Sequence, residues 1–475
     1  MEWFAAPEYW WGRLVFQRLV AAVYLLAFLA AARQFRALLG EHGMLPVPRF
    51  LARTDWRQAP SLFRWHYSDR AFAALARTGA LLAAALLAGV GELIPLWAAM
   101  LGWGLLWLLY LSIVNVGQTW YAFGWESLLL ESGLLAGFLG NGEVAPAVPL
   151  LWLLRWLLFR VEFGAGLIKL RGDRCWRELT CLRYHHETQP MPGPLSWFFH
   201  HLPAPLHKVE AAANHLVQLV VPIGLFLPQP VAGGCAALIL LTQLWLVLSG
   251  NFAWLNWLTV ALACSVLPLG GGSPATGPSW YLGLVAAFTL LVLALSYRPA
   301  RNLFSHHQVM NRSFDRLHLV NAYGAFGSVN RLRLEVVVQG TVDRRVTARS
   351  AWQEYGFHGK PGELHRMPRQ FAPYHLRLDW LMWFAGISPA YARPWFRPFV
   401  HRLLAGDRDT LRLLRHNPFP DAPPEHVRAL LYRYRFTDWR TLRTTGAWWE
   451  RTLVREYLPP VRLSDFRPVV RGDPR

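Results

Sequence analysis

The sequence predicts a polytopic α-helical membrane protein with a C-terminal soluble α+β domain. Three observations lead there. The 475 residues are 54% hydrophobic and only 16% charged, unlike an ordinary soluble or a disordered chain. The apolar residues arrive in blocks, and nine of these approach or reach the roughly 20 residues that a helix needs to cross a hydrocarbon core. After Tyr297 the blocks stop, and no convincing crossing follows.

The nine runs lie near residues 14–32, 71–89, 94–114, 120–140, 148–170, 209–226, 231–247, 252–267 and 280–295. The second is the weakest, rich in alanine and carrying Arg77, and the eighth is short enough to be re-entrant. The first follows aromatic residues and has no clear small-residue cleavage site, so it is expected to stay as a span. Residues 1–298 then form the transmembrane domain, with a polar loop at 171–207, and residues 299–475 form a membrane-adjacent α+β domain. In that second domain Leu332, Leu334, Val336 and Val338 alternate with Arg331, Arg333, Glu335, Val337 and Gln339, the period of a half-buried strand. Tyr432, Tyr434 and Phe436 alternate with Arg433 and Arg435 in the same way. Between them PYHLRLDWLMWFAG reads as a helix, with Pro373 near its start, Gly386 near its end, and Trp380, Leu381, Trp383 and Phe384 on its apolar face. The segment LGGGSPATGP reads as a flexible linker between the last two spans.

The formal charge of +19 comes from arginines spread along membrane-flanking loops and the C-terminal region. No nucleic-acid motif organises them, so the expected partner is the lipid bilayer and not nucleic acid. With nine spans, the loop at 33–70, the loop at 171–207 and the C-terminal domain share one side. By the positive-inside tendency this basic side is cytoplasmic.

Ionisable residues inside spans are costly and point to particular roles. The fourth run carries Glu126 and Glu131, the fifth Arg155, Arg160, Glu162 and Lys169, and the sixth Glu210. Arg155, Glu162 and Lys169 recur every seven residues, which stacks them along one helix face. Two readings stand. In the first, Glu126, Glu131, Arg155, Arg160 and Glu162 satisfy one another in a network that fixes helix packing. In the second, a polar cavity holds Lys169 as a base, oriented by Glu162, with His185 or His186 carrying the proton. Gly133 and Gly137 form a GxxxG spacing, which close helix packing explains.

The polar loop contains CLRYHHETQPMPGPLSWFFHHLP. Trp176, Tyr184, His185, His186, Glu187, Gln189, Trp197, His200 and His201 are its candidate client- or ligand-contacting residues. Imidazole and carboxylate suit zinc, but adjacent histidines diverge on any regular backbone, and neither HExxH nor paired CxxC is present. No metal and no cofactor is therefore expected. Cys175 and Cys181 can close a small disulfide outside the cytosol, whereas Cys235 and Cys264, inside spans, read as free thiols. The tail holds no GxSxG, Walker A or Rossmann setting, and no inverted repeat supports transport.

Four segments carry a resemblance: WYAFGWESLLLESGLLAGFLG, LLFRVEFGAGLIKLRGDRCWRELTCLRYHHETQPMPGPLSWFFHHLP, VNAYGAFGSVNRLRLEVVVQGT and YHLRLDWLMWFAG. In this order, over roughly residues 100–455, they resemble the lipase maturation factor family. The resemblance implies a multipass membrane protein that in animals resides in the endoplasmic reticulum and helps secreted lipases reach an active fold. It marks Tyr323, Gly324, Phe326, Gly327, Tyr374, Arg377, Asp379 and Trp380 as family motif positions in the C-terminal domain. It also implies that the loop and this domain face the lumen or cell exterior, against the charge argument. We take the exterior as the expectation, with the inner membrane as the location in a bacterium and an exported lipase or similar protein as client. GLIKLRGDRCWRELTCLRYHHE is more distantly similar to the vitamin K-dependent gamma-carboxylase, where a lysine near the position of Lys169 acts as base. That similarity implies the alternative of an enzyme acting on a lipid-like or quinone substrate.

Overall fold

A computed structural model describes residues 4–271 and 276–466. Every one of the nine predicted runs is helical: α1 (Trp10–Leu38), α2 (Asp69–Ala88), α3 (Leu96–Val116), α4 (Gly124–Phe138), α5 (Val148–Arg171), α6 (Ala204–Leu219), α7 (Val231–Ser249), α8 (Leu255–Cys264) and α9 (Ser279–Phe304). Among the described residues, six segments are long and apolar enough to cross a membrane: Pro7–Leu38, Asp69–Ala88, Leu96–Val116, Ala204–Phe226, Val231–Ser249 and Ser279–Phe304. The expected nine therefore divide. α4 and α8 are short, with 15 and 10 residues, and α5 carries Arg155, Arg160, Glu162, Lys169 and Arg171. All three are mostly buried among their neighbours, which removes the need for an apolar surface of their own. Leu81, Leu101, Leu241 and Leu290, by contrast, are exposed on α2, α3, α7 and α9, an outer surface suited to lipid chains.

Local chemistry sets the helix ends. Ser68 caps α2 by accepting from the Ala71 amide at 3.0 Å, and Gly89 closes it at φ +107°, where a side chain would be strained. Pro149 and Pro205 stand in the first turns of α5 and α6, where no amide donor is missed. In α4 the GxxxG glycines allow close approach: Gly133 lies against the Tyr24 ring, and Gly137 against Trp103. α9 continues past Tyr297 to Phe304, with Pro299 and Arg301 inside its final turns. The predicted LGGGSPATGP linker falls partly on residues 272–275, outside the described residues.

The C-terminal region contains the two predicted strands in one antiparallel sheet. β1 (Arg333–Thr341) pairs with β2 (Gln353–Glu354) on one side and β3 (His426–Phe436) on the other, and β4 (Trp449–Val461) extends β3, giving the order β2-β1-β3-β4. The predicted helix is α10 (Arg377–Ile387). β1 is not half-buried as its alternation suggested, for both faces are covered. Val336 and Val338 belong to the main core with Trp380, Leu381 and Ala385 of α10, and Gly386 lets that helix lie against the Leu334 carbonyl. Val337 on the other face joins Tyr434, Phe436 and Trp449 around Trp197 of the polar loop. A loop residue thus completes the core of the C-terminal domain.

The ends of several helices meet this domain. Gln34, near the end of α1, donates to the His375 carbonyl at 2.8 Å, and Asn251, after α7, donates to the Arg369 carbonyl at 2.9 Å. Helix ends, loop and domain form one continuous seam.

Candidate functional site

The intramembrane charges do not join into the single network that their sequence positions suggested. They form separate groups, because the C-terminal domain and side-chain amides supply most of their partners. Glu131 pairs with Arg160, and its Oε2 also accepts from the Asn321 amide at 3.1 Å, Asn321 Nδ2 at 2.9 Å and the Tyr323 hydroxyl at 2.7 Å. Arg160 Nη1 donates to the Asn321 carbonyl at 2.6 Å. Glu126 receives the Tyr110 hydroxyl on one oxygen and Arg377 Nη1 on the other at 2.7 Å. Arg377 also donates to the Trp120 carbonyl at 2.6 Å and lies over the Tyr121 ring, its Cζ 3.5 Å from the centroid. Arg155 turns away to the Tyr9 hydroxyl at 2.9 Å and the Leu225 carbonyl at 3.3 Å.

Glu162 and Lys169 lie on a cavity of about 550 Å³ between α5, α6, α7 and the polar loop. Lys169 Nζ donates to Asn214 Oδ1 at 2.7 Å and Gln218 Oε1 at 2.8 Å, with the Trp176 ring centroid 4.8 Å away. Glu162 Oε1 accepts from Gln243 Nε2 at 2.6 Å, and Gln243 accepts in turn from Asn256 at 2.7 Å. The remaining Glu162 oxygen is buried without a partner. A chamber with mostly apolar walls and a few convergent polar groups has the form of a site for an amphipathic small molecule.

The polar loop is a packed seam rather than an open contact surface. Trp176, His185, His186, Glu187, Gln189 and Trp197 are all buried, while Tyr184, His200 and His201 are half-buried. Many of their polar atoms are engaged within the chain, although His186 Nδ1 and Nε2, His200 Nδ1 and Gln189 Oε1 are buried without a hydrogen-bond partner. Trp176 Nε1 donates to the Phe326 carbonyl at 2.8 Å, Trp197 Nε1 to the Thr437 carbonyl at 2.9 Å, and Gln189 Nε2 to the Ser249 carbonyl at 2.9 Å. Glu187 Oε2 accepts the Phe436 amide at 2.8 Å, and His201 Nδ1 lies 2.8 Å from the Trp197 carbonyl oxygen. Tyr184 stacks beneath Arg331, with 4.8 Å from Cζ to the ring centroid. Burial holds His185 well below the usual imidazole range, brings His200 down to about 3, and raises the Glu187 carboxyl. These groups are mostly covered, and of the residues expected to contact a client or a ligand, Trp176, His185 and His186 line the cavity.

Cys175 and Cys181 form a disulfide, and Cys235 and Cys264 are free. Asp173 beside them accepts from Arg331 at 2.9 Å, which holds its carboxyl below the usual range. The closed ring is small, since the cysteines are separated by 6 positions. Replacing both with alanine is expected to cost about 2 kcal/mol through the lost loop constraint. Thermal unfolding of the detergent-solubilised pair variant measures this, and an unchanged midpoint contradicts it.

The motif positions of the C-terminal domain converge on the same seam. The Gly327 carbonyl accepts the Asp173 amide at 2.8 Å, Phe326 packs against His185 with centroids 4.9 Å apart, and Gly324 lies against Met310. Tyr374 receives Gln34 Nε2 at 3.4 Å. Asp379 accepts the Gly359 amide at 2.6 Å, and burial raises its carboxyl to about 6. Trp380 meets Trp125 edge-on at 4.8 Å. Two important residues had no distinguishing signal in the sequence. Arg333, on a predicted strand, holds the loop by donating to the carbonyls of Glu187 and Gln189 at 2.8 and 2.5 Å. Asn321, in the two-residue strand Asn321–Ala322, binds Glu131.

Together, the six helices long and apolar enough to cross a membrane, the buried charges paired within the bundle or from the C-terminal region, and the sheet domain that meets the helix ends define a multipass helical membrane protein with a C-terminal α+β region. The family profile for the lipase maturation factor transmembrane domain matches residues 11–269, and that for the lipase maturation factor C-terminal domain matches residues 319–459. The chain is 40% identical to lipase maturation factor 1 of Bos taurus, over 97% of this chain and 91% of that protein. It is 39% identical to lipase maturation factor 1 of Homo sapiens, over 98% and 90% of the two chains. Identity to lipase maturation factor 2 of Homo sapiens is 30%, over 95% and 83%. The chain belongs to the lipase maturation factor family. No solved structure matches it. These matches lend no support to the carboxylase-like alternative with Lys169 as base.

Proposed function

We propose that this protein is a membrane-embedded maturation factor that assists the folding of an exported lipase or a similar protein. The observation that carries the reading is the match to proteins named lipase maturation factors over 97% of the chain, including both the helical and the C-terminal parts. Residues 1–298 serve as the membrane unit, and residues 299–475, with the polar loop, as the working face. On that face the client meets exposed apolar side chains instead of the buried histidines of the loop: Phe198, Trp439, Leu453 and Val454 are exposed. The Cys175–Cys181 disulfide supports an exterior or luminal position, because a cytosolic thiol pair stays reduced.

Co-expression with a secreted lipase tests the reading. Active lipase is expected to fall several-fold without the protein, and also with a Trp439→Asp/Leu453→Asp variant, while total lipase antigen stays level. Equal specific activity in all three cultures removes the proposed role. The native cysteines of the loop are too buried to report sidedness, so Arg443→Cys, placed at an exposed site in a Cys235→Ser/Cys264→Ser background, takes their place. Labelling of intact cells by a membrane-impermeant thiol reagent is expected, and labelling only after lysis refutes the exterior placement.

A further inference from the structure

We propose a transition-metal site of the zinc class formed by His186, His207 and Glu210 at the wall of the cavity. One ligand atom from each of these residues lies within 4.8 Å of the other two. His207 and Glu210 are one helical turn apart on α6 and so project from one face. His186 comes from the short helix Leu182–Thr188 and is only 1% exposed.

The hydrogen bonds around the trio leave its ligand atoms open. His207 Nε2 donates to the His200 carbonyl at 3.3 Å, which fixes the tautomer and leaves Nδ1 buried without a partner. This is how an outer carbonyl orients a metal-binding imidazole. Glu210 Oε1 accepts Trp245 Nε1 at 2.8 Å, while Oε2 is unpartnered. Neither ring nitrogen of His186 has a hydrogen-bond partner, and its Nε2 lies 3.7 Å from Glu210 Oε2, beyond hydrogen-bonding distance. Three convergent ligand atoms of this kind, two on buried histidines and one on the partly buried Glu210, are costly to leave without a hydrogen bond, and a metal cation would satisfy all three at once.

Two imidazoles and one carboxylate are borderline ligands that suit zinc and leave a fourth position open. Zinc at bond lengths of about 2.0–2.1 Å holds tetrahedral ligand atoms about 3.3 Å apart, so the trio closes on a metal with small side-chain rotations. His186 and Glu210 both line the cavity, so the open position faces its interior. There the metal would take water or the anionic head of an amphipathic occupant. The short sequence motifs miss this set because His186 comes from a different helix, so the three ligands match neither HExxH nor a paired CxxC spacing.

The test is the metal content of the full-length protein purified in detergent with metal-free buffers after growth with zinc. About one tightly held zinc per chain is expected. It should drop at least several-fold in His207→Ala and Glu210→Gln, and stay unchanged in His306→Ala, an exposed histidine outside the site. Cobalt substitution should give a four-coordinate absorption band in the parent protein. Wild-type protein that holds no zinc and shows no thermal stabilisation on zinc addition overturns the proposal without recourse to any variant. Full zinc retention in both ligand variants overturns it equally.

Discussion

Arg377→Met is expected to lower stability by about 3–5 kcal/mol, the scale for breaking a buried ion pair by removing one partner. Both side chains are fully buried, and the substitution leaves Glu126 with the Tyr110 hydroxyl but no cation. It also frees the Trp120 carbonyl, to which Arg377 donates. The measurement is thermal unfolding of detergent-solubilised protein followed by size-exclusion chromatography. The double variant Glu126→Gln/Arg377→Met should lose less than the single one, because a neutral amide no longer leaves a bare charge. If the single variant melts within about 1 kcal/mol of the parent, the pair does not join the domain to the helices.

Glu131→Ala is the second large effect, again about 3–5 kcal/mol. Glu131 is the acceptor for Arg160, the Asn321 amide and side chain, and the Tyr323 hydroxyl. Its removal orphans several buried donors at once. Hydrogen exchange separates this loss from a general weakening. Amides around residues 319–324 should exchange faster in Glu131→Ala than in a core variant of equal melting temperature. Equal exchange patterns in the two would mean that Glu131 does not hold this segment in place.

The nine apolar runs, the strands β1 and β3 and the helix α10 were legible because their signals are local. Block length, period two and terminal Pro or Gly can each be read within a short window. The charge partners were not legible, since Arg377 and Tyr323 lie 251 and 192 residues from the carboxylates that they meet. The seven-residue recurrence of Arg155, Glu162 and Lys169 did mark one face of α5. Each of the three, however, finds its partner on a different segment: at Leu225, on α7 and on α6. The polar loop misled for a related reason. A stretch rich in His, Glu and Gln reads as solvent-facing, yet here Trp176, Gln189, Trp197 and Glu187 bond to backbone groups of the C-terminal domain and neighbouring helices, which lets most of the segment be buried. Strand β1 appeared half-buried because periodicity reports only what alternates, and cannot show that Trp197 will cover the second face.

The Glu126–Arg377 pair also sets an order of events during biosynthesis. Glu131 acquires its cation early, because Arg160 follows it by only 29 residues. Glu126 enters the bundle long before Arg377 is translated, and until then its carboxylate has no arginine to meet. A nascent or truncated chain lacking the C-terminal domain therefore carries an uncompensated acid among its helices, a feature that membrane quality control can recognise as unfinished. Completion of the chain supplies the missing arginine.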